Sequence, residues 1–492
     1  MGSINDELGL EQGGPNSSEF YKIYNNEQLI SAQKGGFGTT ISGIMVASVG
    51  PANDTALVSN DLHQLQMLLD LSLLYCQKHH VQLSASKTKL LAFDKHQSKY
   101  VKYSKLISPL HINQIPIPFA STAEHVGILR SVDGNLPHIH QRMVSHRRSL
   151  AQILSMGMAK RHRANPLASL RAETILSTPA LYSGMASLLL VKSEIDILSR
   201  HVKVTTENLL KLHPKTPEPV VFFLAGKLPG EALLHMKQLT LFGMICQLRG
   251  NILNNLAFKL LTNEKQTSKN WFAEIRSHCF TYNLPHPLLL LKNPLSKENY
   301  KKLLKTNITD FWQTKLREQC VNLESKSLKY FKPKFMSLSK PHPMYACAVT
   351  TYQANKCIPV ARLLSGRFRL GSLLRHFYPD RVSGICELCN QELEDTPHLI
   401  IPKCPKLADR AQLLLKYAQD SLSTCAVAAS IFETIVHGKG DDLKVQFMLD
   451  PSVIPQIIVA AQKDNYLLEK LFKVTTTWVY SLVQTRRKFL NA

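Results

Sequence analysis

The stretch Pro51-Ala52-Asn53-Asp54-Thr55-Ala56-Leu57-Val58-Ser59 decides how this chain is read. An apolar run from Ile41 to Val49 leads in, Gly50 and Pro51 break it just before the acid, and a second run, Ala56 to Val58, follows directly. Two short strands around such a break make a hairpin, with Asn53 and Asp54 at or beside its tip. Carboxylates held at a strand tip suit a two-metal phosphoryl-transfer site, where they clamp Mg²⁺ ions roughly 3.5–4 Å apart over the attacking and leaving oxygens. Short acidic turns are common and most are solvated loops, so the neighbouring stretches decide.

Upstream lies Gly9-Leu10-Glu11-Gln12-Gly13-Gly14-Pro15-Asn16-Ser17-Ser18-Glu19-Phe20, a Gln-Gly turn that opens a helix. Downstream come Leu83-Ser84-Ala85-Ser86-Lys87-Thr88-Lys89-Leu90-Leu91 and His125-Val126-Gly127-Ile128-Leu129. In this order and spacing the four stretches resemble motifs B, C, D and E of the reverse transcriptases of non-LTR retrotransposons, with Asn53-Asp54 at motif C. The resemblance runs from motif B to the C-terminus and implies an α+β chain: a partial palm of antiparallel hairpins and helices, then a mostly helical thumb and C-terminal domain. It implies that Gln12, Gly13 and Ser17 approach template and nucleotide, and that Asp54 and the degenerate Asn53 occupy the metal-binding place. Lys87 would lie near the leaving pyrophosphate, where a cation stabilises charge or donates a proton. His125 to Leu129 would form the primer-grip hairpin.

Two departures from the family bear on catalysis. Asn53 stands where the family has its first Asp, and Pro51 where an aromatic is usual; Asn offers Mg²⁺ one neutral carbonyl, whereas hard cations select for charge. Only eight residues precede the motif-B stretch, so the fingers and motif A, with its Asp, are expected to be absent, and Asp6 is too close to replace it. Mg²⁺ is then expected only where an intact palm is supplied. Three readings stay open: an inactive retrotransposon copy, a nucleic-acid-binding protein that does not polymerise, and an enzyme whose missing part comes from elsewhere.

The 492 residues carry 59 Lys plus Arg against 36 Asp plus Glu, a formal charge of +23. Such an excess calls for an anionic partner, nucleic acid ahead of an anionic membrane because no amphipathic anchor accompanies it; the resemblance implies RNA and DNA of primer-template type. Between Lys87 and Lys215 stand 19 basic and 7 acidic residues, so the charge is concentrated. Arg142, His146, Arg147 and Arg148 form one basic cluster, and Lys160, Arg161, His162 and Arg163 another. On thumb helices, Arg147, Arg148, Arg161 and Arg163 would track a phosphate backbone. A later run, Arg362-Leu363-Leu364-Ser365-Gly366-Arg367-Phe368-Arg369-Leu370, sets Arg367 and Arg369 beside an aromatic ring, suited to phosphate contact and base stacking. Composition, with 44% hydrophobic and 19% charged residues, belongs to a globular chain.

The second specific pattern is Cys386-x2-Cys389-x8-His398-x5-Cys404. A Cys-x2-Cys knuckle presents two thiolates from one turn, and His398 and Cys404 close a tetrahedron around Zn²⁺ with no open position, which makes the zinc structural. The segment Glu392 to Leu399 reads as a turn into a short helix carrying the histidine. Non-LTR reverse transcriptases carry a similar Cys-Cys-His-Cys element beyond the thumb. Of the ten cysteines, Cys76, Cys246 and Cys347 lie alone in apolar context as reduced thiols, which points to an intracellular protein of nucleus or cytoplasm. The start, Met1-Gly2-Ser3-Ile4-Asn5-Asp6, has no secretory n- or h-region, and no apolar run reaches the ~18 residues of a membrane span.

Along the chain, Ser17 or Ser18 is expected to cap a helix carrying Phe20, Ile23, Tyr24 and Leu29, broken at Lys34-Gly35-Gly36-Phe37-Gly38. Asn60 or Asp61 should cap a second, with Leu62, Leu65, Leu68, Leu69 and Leu73 as core, delivering Lys87 into a strand that ends Leu90-Leu91-Ala92-Phe93. Ile115-Pro116-Ile117-Pro118 cannot be a central strand. The expected divisions are a partial palm (1–95), a motif-E region (96–135), a basic helical thumb (136–215), a helical connector (216–375), a zinc-knuckle-like element (376–410) and a C-terminal helical region (411–492). Oligomeric state is not legible.

Overall fold

The computed structural model describes residues 16–50, 54–93, 110–155, 166–263, 269–322, 328–464 and 466–491. Among these residues helices dominate, and strands occur as antiparallel two-stranded hairpins, so the chain is α+β. None of the described helices is long and apolar enough to cross a membrane. The chain forms two compact units: Met1–Arg142 with Tyr182–Glu194 and Lys237–Lys302, and Met143–Leu181 with Ile195–Met236 and Leu303–Ala492.

In the first unit the Ile41 to Val49 run is not one strand. Ser42 and Gly43, at φ 49° and 77°, fold Thr39–Ile41 back on Ile44–Val46 in a tight primed-type turn. Ser48–Val49 then pairs with Ala56–Leu57, Val49 opposite Ala56, which is the expected hairpin; Asp54 is exposed in its connection, and Asn53 lies outside the described residues. Gly38, at φ 135°, lets the second hairpin strand pass so closely that a Cβ there would meet the Val46 carbonyl oxygen at 2.7 Å.

Asp61 caps the Leu62–Lys78 helix by accepting from the Gln64 N–H at 2.9 Å. That helix buries Leu68 with Ala32 and Ala47, and Leu69 with Leu90, Leu110, Ile112 and Ile117. The Ser17–Lys34 helix starts differently from expectation: Asn16 is its N-cap and makes no side-chain capping bond, while Phe20 and Ile23 are exposed. Ser84 to Thr88 is a turn, because the Lys87 N–H, the Thr88 N–H and the Thr88 hydroxyl all bond the Ser84 carbonyl. This local bonding outcompetes strand pairing. Leu90 therefore makes only an isolated bridge to Phe119 in place of the expected strand, and Lys87 is exposed on the turn.

Two further hairpins follow. His111–Ile112 pairs with Ile115–Pro116 through Asn113-Gln114, and Thr122–His125 with Ile128–Ser131 through Val126-Gly127, all four turn residues at positive φ. The second is the hairpin expected at motif E. His138 fixes it: its Nδ1 accepts from the Leu129 N–H at 3.1 Å and its Nε2–H donates to the Ser183 carbonyl at 3.0 Å. Desolvation, the largest influence, lowers the His138 pKa, which keeps this doubly bonded imidazole neutral.

The second unit is built on apolar helices. Glu218–Ala225 reads Glu-Pro-Val-Val-Phe-Phe-Leu-Ala and is buried from Pro219 onward, as a helix apolar all round must be. The Leu467–Leu490 helix buries Leu467, Leu471, Val474, Trp478 and Leu482 at helical spacing and packs most heavily on Thr351–Leu364. The latter opens with a capping box, Thr350 and Gln353 each accepting from the other's N–H. The buried His342 accepts from the Met344 N–H at Nδ1 and donates from Nε2 to Asp450 at 3.0 Å.

Gly226 ends the Glu218–Ala225 helix at φ 60°, its N–H bonding the Phe222 and Phe223 carbonyls. A Cβ there would fall 2.1 Å from both the carbonyl carbon of Lys340 and the nitrogen of Pro341. Both are backbone atoms and cannot rotate away. Gly226→Ala is therefore expected to cost ~3 kcal/mol or more, combining positive-φ strain with overpacking. Urea midpoints check this, and a variant within ~0.5 kcal/mol of wild type would show that the close approach is not real.

Candidate functional site

The sequence brings Cys386 and Cys389 together on one knuckle. The Cys386 N–H bonds the Glu392 carbonyl and the Asn390 N–H returns to the Cys386 carbonyl, both at 2.8 Å, with Asn390 at φ 52° completing the reversal. An Ile385–Leu393 antiparallel bridge closes the loop. Asp395 caps the short Thr396–Ile400 helix by accepting from the His398 N–H at 2.8 Å, and that helix carries His398 inward as expected. Cys404 follows, fully buried, one residue before a Pro405–Leu407 turn.

The four ligand atoms lie within 4.8 Å of one another, and among the described residues no other group of three or more His, Cys, Asp or Glu is gathered in this way. Tetrahedral geometry with Zn–S near 2.3 Å and Zn–N near 2.0–2.1 Å requires edges of about 3.8 Å between sulfurs and about 3.5 Å from sulfur to nitrogen. Cys386 Sγ stands 4.0 Å from Cys404 Sγ, and Cys389 Sγ stands 3.6 Å from His398 Nε2. The donor set and the spacing fit a metal ion held by soft ligands.

The second layer fits as well. His398 Nδ1–H donates to Glu392 at 3.2 Å, which leaves Nε2 as the ligand atom. Burial pushes the Cys404 thiol up to about 12, aided by the neighbouring Cys386 and Cys389 sulfurs. Burial also raises Cys389, but the backbone N–H groups of Gln391 and Glu392, with Cys386 and His398, outweigh it and bring that thiol to about 7. The opposition of the Cys386 and Cys389 sulfurs to ionisation of Cys404 is relieved by a shared cation.

The loop is bolted to the C-terminal helix. Buried Glu394 accepts from the Gly371 N–H at 2.7 Å and takes both Nε and Nη2 of Arg486. Trp478 Nε1–H donates to the Ile400 carbonyl at 3.0 Å. Of the basic C-terminal run, Arg486 is thus committed to Glu394, while Arg487 and Lys488 are exposed.

A basic surface lies elsewhere in the second unit. Desolvation and then the fields of Arg367, Arg362, Arg369 and Lys215 lower the pKa of His213, so cations from two separate segments act on one imidazole. Arg362 Nε donates to the Lys211 carbonyl at 3.2 Å, tying the two segments, and Arg487 adds its field to Arg362. Phe368, expected beside Arg367 and Arg369 as a stacking ring, is core at 7% exposure; the reversal at Gly366, at positive φ, turns it inward.

The first basic cluster divides. Arg147 and Arg148 are exposed, as phosphate contact demands. Arg142 donates to the Gly127 carbonyl at 2.7 Å and holds the hairpin turn in the first unit. His146 is fully buried and donates from Nε2 to Glu173 at 3.3 Å, with His201 Nε2–H donating to His146 Nδ1 at 3.0 Å. Glu173 also takes Lys227 Nζ and the Thr178 hydroxyl. It is the lone acid between Asp133 and Glu194, a signal the charge count alone passes over.

Of the other expected site residues, Gln12, Gly13, Arg161 and Arg163 lie outside the described residues, as does the side chain of Ser17. Asp54 and Lys87 are exposed on separate turns of the first unit. No known family model matches this chain, and no curated protein matches its sequence.

Proposed function

We propose that this chain is a nucleic-acid-binding derivative of a non-LTR retrotransposon reverse transcriptase that binds RNA or DNA without polymerising. The Cys386, Cys389, His398 and Cys404 centre holds one structural Zn²⁺ in this reading. The observation that carries it is the gathering of Arg362, Arg367, Arg369 and Lys215 near His213, because cations kept together attract polyanions. The order of the four motif-like stretches supports the descent, and Asn53, in the place of a charged ligand, supports the non-catalytic role. The metal centre contributes a rigid C-terminal element, since Glu394 and Arg486 join its loop to the last helix.

The chain should bind a 20-nucleotide single strand with little sequence preference, and log K should fall steeply and linearly with log salt. Each cation withdrawn from phosphate contact lowers that slope by about 0.7 for a single strand. Replacing Arg362, Arg367 and Arg369 by Ala is expected to lower it by about 2, and replacing Arg147, Arg148, Arg161 and Arg163 by Ala to lower it by about 3. Fluorescence anisotropy at several salt concentrations checks this. Unchanged affinity and slope in both sets would mean that these are solvated surface charges.

A further inference from the structure

The second unit holds a cavity of about 320 Å³ that the basic surface does not use up. Its walls are apolar, from Leu150, Leu154, Leu209 and Ile358. Its polar lining includes Arg147 and Lys211, both exposed, with Asn208, Asn355, His201 and Tyr345 beside the hydroxyls of Ser169 and Thr205. Volume and lining match small-ligand pockets, which begin at about 300 Å³ and combine apolar walls with few polar groups. At that size it takes one small molecule or a single residue of a longer chain.

Three features favour an occupant with both an aromatic heterocycle and an anion. Tyr345 is 1% exposed and its hydroxyl has no hydrogen-bond partner, a buried polar group that a ligand would satisfy. His201 gives its Nε2–H to His146, which Glu173 orients from behind, so His201 Nδ1 is presented as an acceptor. Desolvation, followed by the fields of His146 and Arg147, brings the His201 pKa to about 4, so this ring is a neutral acceptor at pH 7. Arg147 and Lys211 supply the positive charge, and Lys211 is joined through its carbonyl to Arg362 of the basic surface. A donor-bearing ring edge meets the histidine and the asparagine amides, while a phosphate meets the two cations.

We propose that this cavity seats one nucleotide, its base unstacked against the leucine walls and its phosphate at Arg147 and Lys211. The proposal rests on the nucleic-acid reading above and deepens it: the basic surface tracks the strand, and the cavity takes one residue out of it. Single strands are recognised through bases that are splayed out and engaged singly. A free nucleoside monophosphate offers the same chemistry and is the other source of such a ligand.

The test uses the full chain and a 12-nucleotide single strand carrying 2-aminopurine at alternate positions. Binding should raise 2-aminopurine emission about threefold as one base leaves the stack. Leu150→Trp, at a half-buried wall, fills the cavity and should abolish the rise while affinity stays within about threefold, because phosphate contacts dominate affinity. Tyr345→Phe together with Asn208→Ala should reduce the rise without altering the wall, which keeps the proposal testable if the tryptophan variant misfolds. Normal affinity with no emission change in wild type would overturn the cavity proposal and leave the nucleic-acid reading standing. If no strand binds, equilibrium dialysis with the four nucleoside monophosphates decides: binding lost in Leu150→Trp upholds the cavity without the nucleic-acid reading, and no binding overturns both.

Discussion

One Zn²⁺ per chain is the expected metal content, falling to near zero in Cys389→Ser and in Cys404→Ser. A structural site with four protein ligands loses its metal when one thiolate is removed, because the remaining donors no longer close the tetrahedron. Free energies of ~10–16 kcal/mol attach to structural zinc in small domains, so metal loss here should unfold the loop that the metal closes. Proteolysis should then cut after Arg381, within the segment that bears the four ligands. The Leu467–Leu490 helix should resist, since it is held by its own buried leucines as well as by Trp478 and Arg486. His398→Cys is the informative companion: four thiolates also suit zinc, so metal should be retained, whereas His398→Ala should lose it. Metal analysis of wild type and variants, with limited proteolysis alongside, decides the matter. Equal and substoichiometric zinc throughout would make these spare thiols.

The Cys386, Cys389, His398 and Cys404 cluster was legible from spacing because it is local: four candidate ligands within one short segment, a knuckle turn, and an Asp-capped helix that aims the histidine. The hairpin around Asp54 was legible for the same reason, since turn chemistry acts over a few residues; the one at Val126-Gly127 was expected from the resemblance alone. The reversal at Ser42-Gly43 was missed although Ser-Gly is itself a turn signal, because the pair was read into the apolar run around it. Phe368 was placed on the wrong side because charge on both flanks says nothing about which way a loop turns. The surface around His213 was out of reach altogether. Lys215 and Arg367 are distant in sequence, and only tertiary packing through the Lys211 carbonyl brings their segments together. Glu173 illustrates the same limit, for its partners His146 and Lys227 lie 27 and 54 residues away in sequence.

Glu173 should also make the second unit sensitive to acid. Burial alone would raise its pKa, but the His146 hydrogen bond, the Lys227 charge and hydrogen bond, and the Thr178 hydroxyl outweigh it and bring it from 4.5 to about 2. A carboxylate whose folded pKa lies below its unfolded value contributes stability that is complete above the unfolded pKa. Between pH 4.5 and about 2 the unfolded chain binds the extra proton, so that stability drains away as pH falls through this window. The whole contribution is on the order of 3 kcal/mol at neutral pH. Glu173→Gln keeps the shape and the acceptor for Thr178 but leaves Lys227 nearly buried without its counter-charge, a loss expected to be about 3–5 kcal/mol. Lys227→Met in the same chain removes the orphaned charge and should recover much of it. Urea unfolding at a series of pH values from 2 to 7 should show wild type and Glu173→Gln far apart at neutral pH and converging toward pH 2. Because other carboxylates titrate equally in both proteins, the difference between the two curves isolates this one. A gap that stays constant across the window would mean that Glu173 contributes packing alone, and that its bonds to His146 and Lys227 do not depend on its charge.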